Sequence, residues 1–123
     1  MANYQKIFLV DDDDVACFIN QNLIEELGFA SEVQVFTDAE EVFPYLNDSK
    51  TRPDLILLDL KMPVFDGFDF LEQFNQLDED IRMSVKIVVL TTSENPKDKK
   101  RLAELGYEKY LTKPLTKNKL SVI

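Results

Sequence analysis

Leu55-Ile56-Leu57-Leu58-Asp59 is an unbroken apolar run closed by a carboxylate. Four consecutive branched apolar residues are too few for a buried helix and fit a strand covered on both faces. Ile7-Phe8-Leu9-Val10 repeats the pattern and ends in Asp11 to Asp14. A third run, Val85 to Leu90, ends in Thr91-Thr92-Ser93, and a short fourth, Glu108 to Leu111, leads into Thr112-Lys113-Pro114. Strands that stop at carboxylates, hydroxyls and a lysine predict a polar pocket at one end of a sheet. The donor types suit magnesium-assisted phosphoryl transfer.

The stretches between these runs carry a helical period. Ala16, Ile19, Leu23 and Leu27 recur every three to four residues within 15–27, and Gly28 follows as a stop. A short strand is expected over Glu32–Phe36, and Thr37-Asp38-Ala39-Glu40 has the form of a capping box opening a second helix that Pro44 shortens or kinks. Phe68, Leu71, Phe74 and Leu77 mark a third helix after the Met62–Gly67 loop. Asn95-Pro96 opens a fourth that runs to Leu105 and Gly106, and Thr116 begins a short last one. Strands alternating with helices predict an α/β protein with a parallel sheet and helices on both faces. The 123 residues suffice for one domain, taken as 1–123 with no output domain.

Composition narrows the function. A formal charge of −9 argues against direct nucleic-acid binding, and Lys97, Lys99, Lys100 and Arg101 read as the solvated face of a helix. No apolar run could span a bilayer, and the Met1–Lys6 lead-in lacks the basic and apolar regions of a signal peptide, so a cytoplasmic location is expected. The single cysteine, Cys17, permits no internal disulfide and reads as a small core residue. Histidine is absent, which removes Ser-His and Cys-His catalysis, histidine metal sites and a phosphohistidine carrier role. Any histidine chemistry has to come from a partner.

In an open parallel sheet the binding crevice lies beyond the carboxyl ends of the strands. Asp11, Asp12, Asp59, Thr91 and Lys113 all fall at or just after such ends. Asp13 and Asp14 read instead as anions at the N-terminus of the first helix.

The segments Leu9-Val10-Asp11-Asp12, Leu57 to Gly67, Leu90-Thr91-Thr92-Ser93 and Tyr110-Leu111-Thr112-Lys113-Pro114 resemble the signatures of the receiver domain of two-component response regulators. The resemblance spans nearly the whole chain, with the motifs in order. It implies a flavodoxin-like, doubly wound, five-stranded sheet in the order 2-1-3-4-5, as in chemotaxis receivers. Asp59 would be the phosphoacceptor for a phosphohistidine on a sensor histidine kinase or histidine phosphotransfer protein. Asp12, Asp59 and the backbone carbonyl of Lys61 would hold Mg²⁺ (or Mn²⁺), with Asp11 acting largely through water. Lys113 would pair with Asp59 and then with the phosphoryl group, across a cis Lys113-Pro114 bond. Thr91 would donate to a phosphoryl oxygen, and Thr91 with Tyr110 would form the switch that reshapes a face read by a downstream protein. Lys61 and Ser93 occupy the positions two residues after Asp59 and Thr91 that tune phosphate lifetime in the family. The protein would then be a signalling phosphoacceptor that promotes only its own phosphorylation and dephosphorylation, rather than an enzyme acting on other substrates.

Two other readings remain at this level. Asp11-x-Asp13-x-Val15 after an apolar strand resembles the first motif of haloacid-dehalogenase-type phosphatases, though only ten residues follow Lys113 and none is acidic. A pseudo-receiver that acts purely as an interaction module is the third.

Overall fold

The computed structural model describes residues 3–123; Met1 and Ala2 of the lead-in segment lie outside the described residues. The chain runs β1 (Tyr4–Val10), α1 (Asp14–Glu26), β2 (Ala30–Phe36), a 3₁₀ turn (Ala39–Val42), α2 (Phe43–Leu46) and β3 (Leu55–Leu58). It continues through α3 (Gly67–Phe74), α4 (Glu79–Ser84), β4 (Lys86–Thr91), α5 (Pro96–Glu104), β5 (Tyr110–Thr112) and α6 (Lys117–Leu120). All ladders are parallel, and the five strands lie in the order β2-β1-β3-β4-β5. This is the flavodoxin-like order expected from the motifs.

The period-two geometry of the strands splits their apolar residues between two cores. Phe8, Val10, Ile56, Leu58 and Val89 face one side, packed with Phe68, Phe70, Leu71 and Phe74 of α3. Ile7, Leu9, Leu55, Leu57 and Leu90 face the other, with Ile24 of α1 and Leu120 of α6. All four β3 residues are buried, as a strand covered on both faces requires. Such a strand cannot leave its backbone or its register free, so the residue after it has a fixed position.

The ends of several elements depart from expectation. The second helix is opened by Asp38, whose Oδ1 accepts from the Glu40 N–H at 3.0 Å, and not by a Thr37 box. Pro44 stands in the first turn of α2, where its missing N–H is harmless, and the α-helical part is four residues long. The capping box occurs at α3 instead: the Asp69 N–H donates to Asp66 Oδ1, and Asp69 Oδ2 accepts from the Asp66 N–H. Leu77 lies beyond α3 but still packs on the first core, and the sequence reading missed α4. Strand β5 sits two residues later at its start than expected, because Glu108 and Lys109 are exposed and only Tyr110 onward pairs with β4. Asn95 caps α5 and Thr116 caps α6, as their sequence contexts predict. Cys17 is buried on α1, its thiol pushed up to about 11 by burial and the nearby charges of Asp11, Asp14 and Asp13.

Candidate functional site

The sheet register brings the strand ends together. The Asp11 N–H donates to the Phe36 carbonyl at 3.0 Å, continuing the β1–β2 ladder, and the Asp59 N–H donates to Val10 O at 2.9 Å, continuing β1–β3. Lys113 donates its backbone N–H to Thr91 O at 2.9 Å, which extends β5 along β4. Two carboxylates and a lysine are thereby delivered to one mouth by backbone pairing, and Asp12 follows Asp11 in the chain.

Asp11, Asp12 and Asp59 each offer an oxygen, and these oxygens lie within 4.8 Å of one another. Asp11 and Asp59 are buried while Asp12 is exposed. The Lys113 Nζ is 2.9 Å from Asp11 Oδ2 and 3.2 Å from Asp59 Oδ1. Its strongest contact is with Asp11 rather than with Asp59 alone, so the expected single ion pair is a shared one. Burial first, and then the charge of Asp11, push the Asp59 carboxyl above its ordinary value, although Lys113 and the Lys61 backbone pull the other way. For Lys113, burial opposes the charged form, but the hydrogen bond to Asp11 and the charges of Asp59 and Asp11 outweigh it and the ammonium is held above its usual range. Carboxylates this close repel unless a cation joins them. Hard oxygen donors with one member open to solvent suit a cation that keeps some of its waters, so the donor set fits Mg²⁺.

The supporting residues come from every neighbouring loop. Thr91 is 1% exposed; its Oγ1 accepts from the Ser93 N–H at 3.0 Å, which leaves its own O–H as a donor. The Lys113-Pro114 peptide bond is cis. Lys119 of α6 donates to the carbonyls of Thr112 at 2.6 Å and Pro114 at 2.9 Å, bracketing Lys113. Gly67 allows the β3–α3 loop to lie against Asp59 and Leu60. A Cβ there would meet the Asp59 carbonyl oxygen and come within 2.7 Å of Leu60 Cα.

Asp13 does not join the cluster. Its Oδ1 accepts from the N–H groups of Val15 (3.0 Å) and Ala16 (3.3 Å), capping α1. The phosphatase reading needs Asp13 in the pocket, and helix capping removes it. Tyr110 is half-buried at the start of β5 and packs against the first core. Lys61 points elsewhere: its Nζ is 3.0 Å from Asp98 Oδ2. Asp98 was not visible to sequence reading, since it stands in the first turn of an otherwise basic exposed helix.

The model of the response regulator receiver domain family matches residues 7–123. FilR2 of Methanothrix harundinacea is 32% identical over 114 residues, which cover 89% of this chain and 72% of that protein. The chain spans less than half of longer relatives such as the Bacillus subtilis transcriptional regulatory protein PhoP. A crystal structure of a two-component response regulator from Cytophaga hutchinsonii superposes with a TM-score of 0.83 at 26% identity, over 97% of this chain and 92% of that one. The Mn²⁺-bound form of the response regulator Rcp1 superposes at 0.76 with 30% identity, over 96% and 88%.

Proposed function

The chain belongs to the response regulator receiver domain family, and from that premise we propose that Asp59 is its phosphoacceptor, loaded from a phosphohistidine on a sensor kinase or phosphotransfer protein. The observation that carries this reading is the mouth itself: a strand-end carboxylate bound to one lysine and grouped with two further carboxylates. An Asp59 carboxylate oxygen attacks phosphorus, the new O–P bond forms as the N–P bond of the donor breaks, and the departing imidazole keeps the electron pair and takes up a proton.

Each neighbour has a defined task. Asp12, Asp59 and the Lys61 carbonyl would hold Mg²⁺, with Asp11 acting largely through water, and the ion would supply positive charge that offsets the charge gathered on the phosphoryl oxygens. Lys113 lowers the negative charge that the acceptor presents to an incoming phosphate and then pairs with the transferred group. Thr91, with its hydroxyl hydrogen available, donates to a phosphoryl oxygen. Thr91 and Tyr110 carry the change to the α5–β5–α6 face, a population shift biased by one local charge.

The donor is a protein that docks beside the mouth. Val15, Phe18 and Ile19 of α1 are 67%, 66% and 57% exposed, an unusual apolar cluster one turn from Asp11 to Asp14. A groove of about 260 Å³ between Ile19, Pro114 and Leu115 extends it toward Lys113. Apolar surface rimmed by charge suits a protein partner. No helix among the described residues is long and apolar enough to cross a membrane. We place the domain in the cytoplasm, where such kinases present their histidines, and assign it no direct contact with nucleic acid. The output is a protein-interaction face.

Intact-mass spectrometry after incubation with acetyl phosphate tests the reading. The wild type gains one phosphoryl group when Mg²⁺ is present, and Asp59→Asn gains none. An adduct of equal yield on Asp59→Asn would place the acceptor elsewhere and overturn the assignment. If the wild type shows no adduct, Mg²⁺-dependent beryllofluoride binding is the deciding measurement, and its absence overturns the reading as well.

A further inference from the structure

A polar network at the rim of the site is not used by any step above. Lys61, two residues after Asp59, has a side chain 58% exposed, yet its ammonium is held 3.0 Å from Asp98 Oδ2. That same oxygen accepts from Ser93 Oγ at 2.5 Å. Ser93 is in turn tied to Thr91 Oγ1 through its N–H, and its hydroxyl accepts from the Asn95 N–H at 3.3 Å. Asp98 is therefore the single node that joins the β3–α3 loop, the β4–α5 loop and the first turn of α5. The hydrogen bond from Ser93 and the pairing with Lys61 hold its carboxyl below the usual carboxylate range. Lys61 lies 5.7 Å and Arg101 4.3 Å from the ring centroid of buried Phe68, and Arg101 bonds Glu72 of α3 at 3.0 Å.

We infer that Asp98 is a positioning residue that holds Lys61 off the acceptor in the unphosphorylated protein and gives it up to the phosphoryl group, so that charge on Asp59 is signalled to α5 by the breaking of the Lys61–Asp98 pair. The inference rests on Asp59 being the acceptor. Lys61 is anchored two residues from Asp59, and a phosphoryl group there brings negative charge into reach of an ammonium that Asp98 alone now neutralises. A contact between Lys61 and the phosphoryl oxygens competes with its 3.0 Å contact to Asp98 Oδ2. When Lys61 swings to the phosphoryl oxygens, Asp98 keeps only Ser93, and the first turn of α5 loses its tie to the β3–α3 loop. The two rim positions, Lys61 and Ser93, then act as one unit because they share one carboxylate.

By linkage, a contact that must break on phosphorylation opposes it, and removing the contact favours it by the same factor. A partly exposed pair of this kind is worth about 0.7–1 kcal/mol, or roughly a threefold to fivefold change in affinity. The test is calorimetric titration with beryllofluoride at saturating Mg²⁺, on the wild type, Asp98→Asn, Lys61→Ala and the double variant. Asp98→Asn is expected to bind about threefold to fivefold more tightly than the wild type. In the Lys61→Ala background the same substitution is expected to change affinity by less than about 1.5-fold. An equal gain in both backgrounds would be general removal of negative charge and would overturn the inference, as would unchanged or weaker binding by Asp98→Asn. Amide chemical shifts of residues 98–101 give an independent readout. In metal-free Asp98→Asn they should move toward the positions that the wild type reaches with beryllofluoride, and shifts that stay at the unliganded wild-type positions would count against it. Wild-type protein that fails to bind beryllofluoride would instead sink the acceptor assignment, so the two failures are distinguishable.

Discussion

Leu58 and Asp59 are adjacent on one chain and belong to regions with opposite energetics. Leu58 is fully buried in the sheet interior among Phe8, Val10, Phe70 and their neighbours, while Asp59 is buried at the mouth beside another carboxylate. In the interior every side chain contributes through the apolar area it removes from water. At the mouth, burial raises the energy of the charged form, and one ammonium offsets only part of it. The interior holds the backbone rigid enough for the mouth to keep groups that a stability-optimised protein would discard.

The largest test of that contrast lies in the interior. Leu58→Ala is expected to destabilise the domain by about 3–4 kcal/mol in urea unfolding, combining lost transfer energy with a cavity the two covered faces cannot close. A loss under about 1 kcal/mol would mean that the strand is not where the stability resides. Lys113→Met comes next. It removes the cation shared by Asp11 and Asp59 and leaves their charges uncompensated, which is expected to cost about 2 kcal/mol at neutral pH without metal. Added Mg²⁺ should restore most of that loss if the carboxylates are its ligands. A Lys113→Met deficit that Mg²⁺ does not touch would break the link between cluster and cation.

Asp59→Asn should move stability the other way. The folded-state pKa of Asp59 lies above its ordinary value of 3.8, so the native state binds the proton more tightly than the unfolded chain. The associated stability is fully present below about pH 3.8 and is lost as pH rises through the raised folded value. At neutral pH the carboxylate is therefore a net burden, and removing its charge is expected to raise metal-free stability by about 1 kcal/mol, or several degrees in Tm. The difference between wild type and variant should vanish at acid pH. A variant that is less stable at pH 7 without metal would show that the Lys113 contact outweighs burial.

The same contrast explains what the sequence disclosed. Interior strands are written in runs of apolar residues, so β1, β3, β4 and the carboxylates or hydroxyls at their ends were legible from the chain alone. So were the caps Asn95 and Thr116, because capping chemistry is local. The α4 helix was not, since its Glu-Asp-Ile-Arg-Met-Ser stretch buries only Ile81 and Asp78 makes no side-chain cap bond. Strand β5 was misplaced because its start is decided by pairing with β4, not by its own residues. The shared Lys113 contact and the Lys61–Asp98–Ser93 network join residues 102, 37 and 5 positions apart, and only the folded sheet brings the distant ones together.

Val64 supplies the smallest and sharpest test. It is a β-branched residue at φ +68°, fully exposed in the loop between Asp59 and Gly67, and it packs on nothing that would offset the strain. Left-handed backbone costs an ordinary L-residue about 1–2 kcal/mol, and asparagine tolerates it better while adding no glycine-like freedom to the unfolded chain. Val64→Asn is thus expected to raise stability by about 0.5 kcal/mol. If the strain is incidental to the chain's path around the mouth, beryllofluoride affinity should stay within about twofold of the wild type, because relief of strain common to both states cancels from binding. A gain in stability accompanied by a larger loss of affinity would mean that the bound state relaxes this turn, and that the mouth stores part of its energy in backbone as well as in charge.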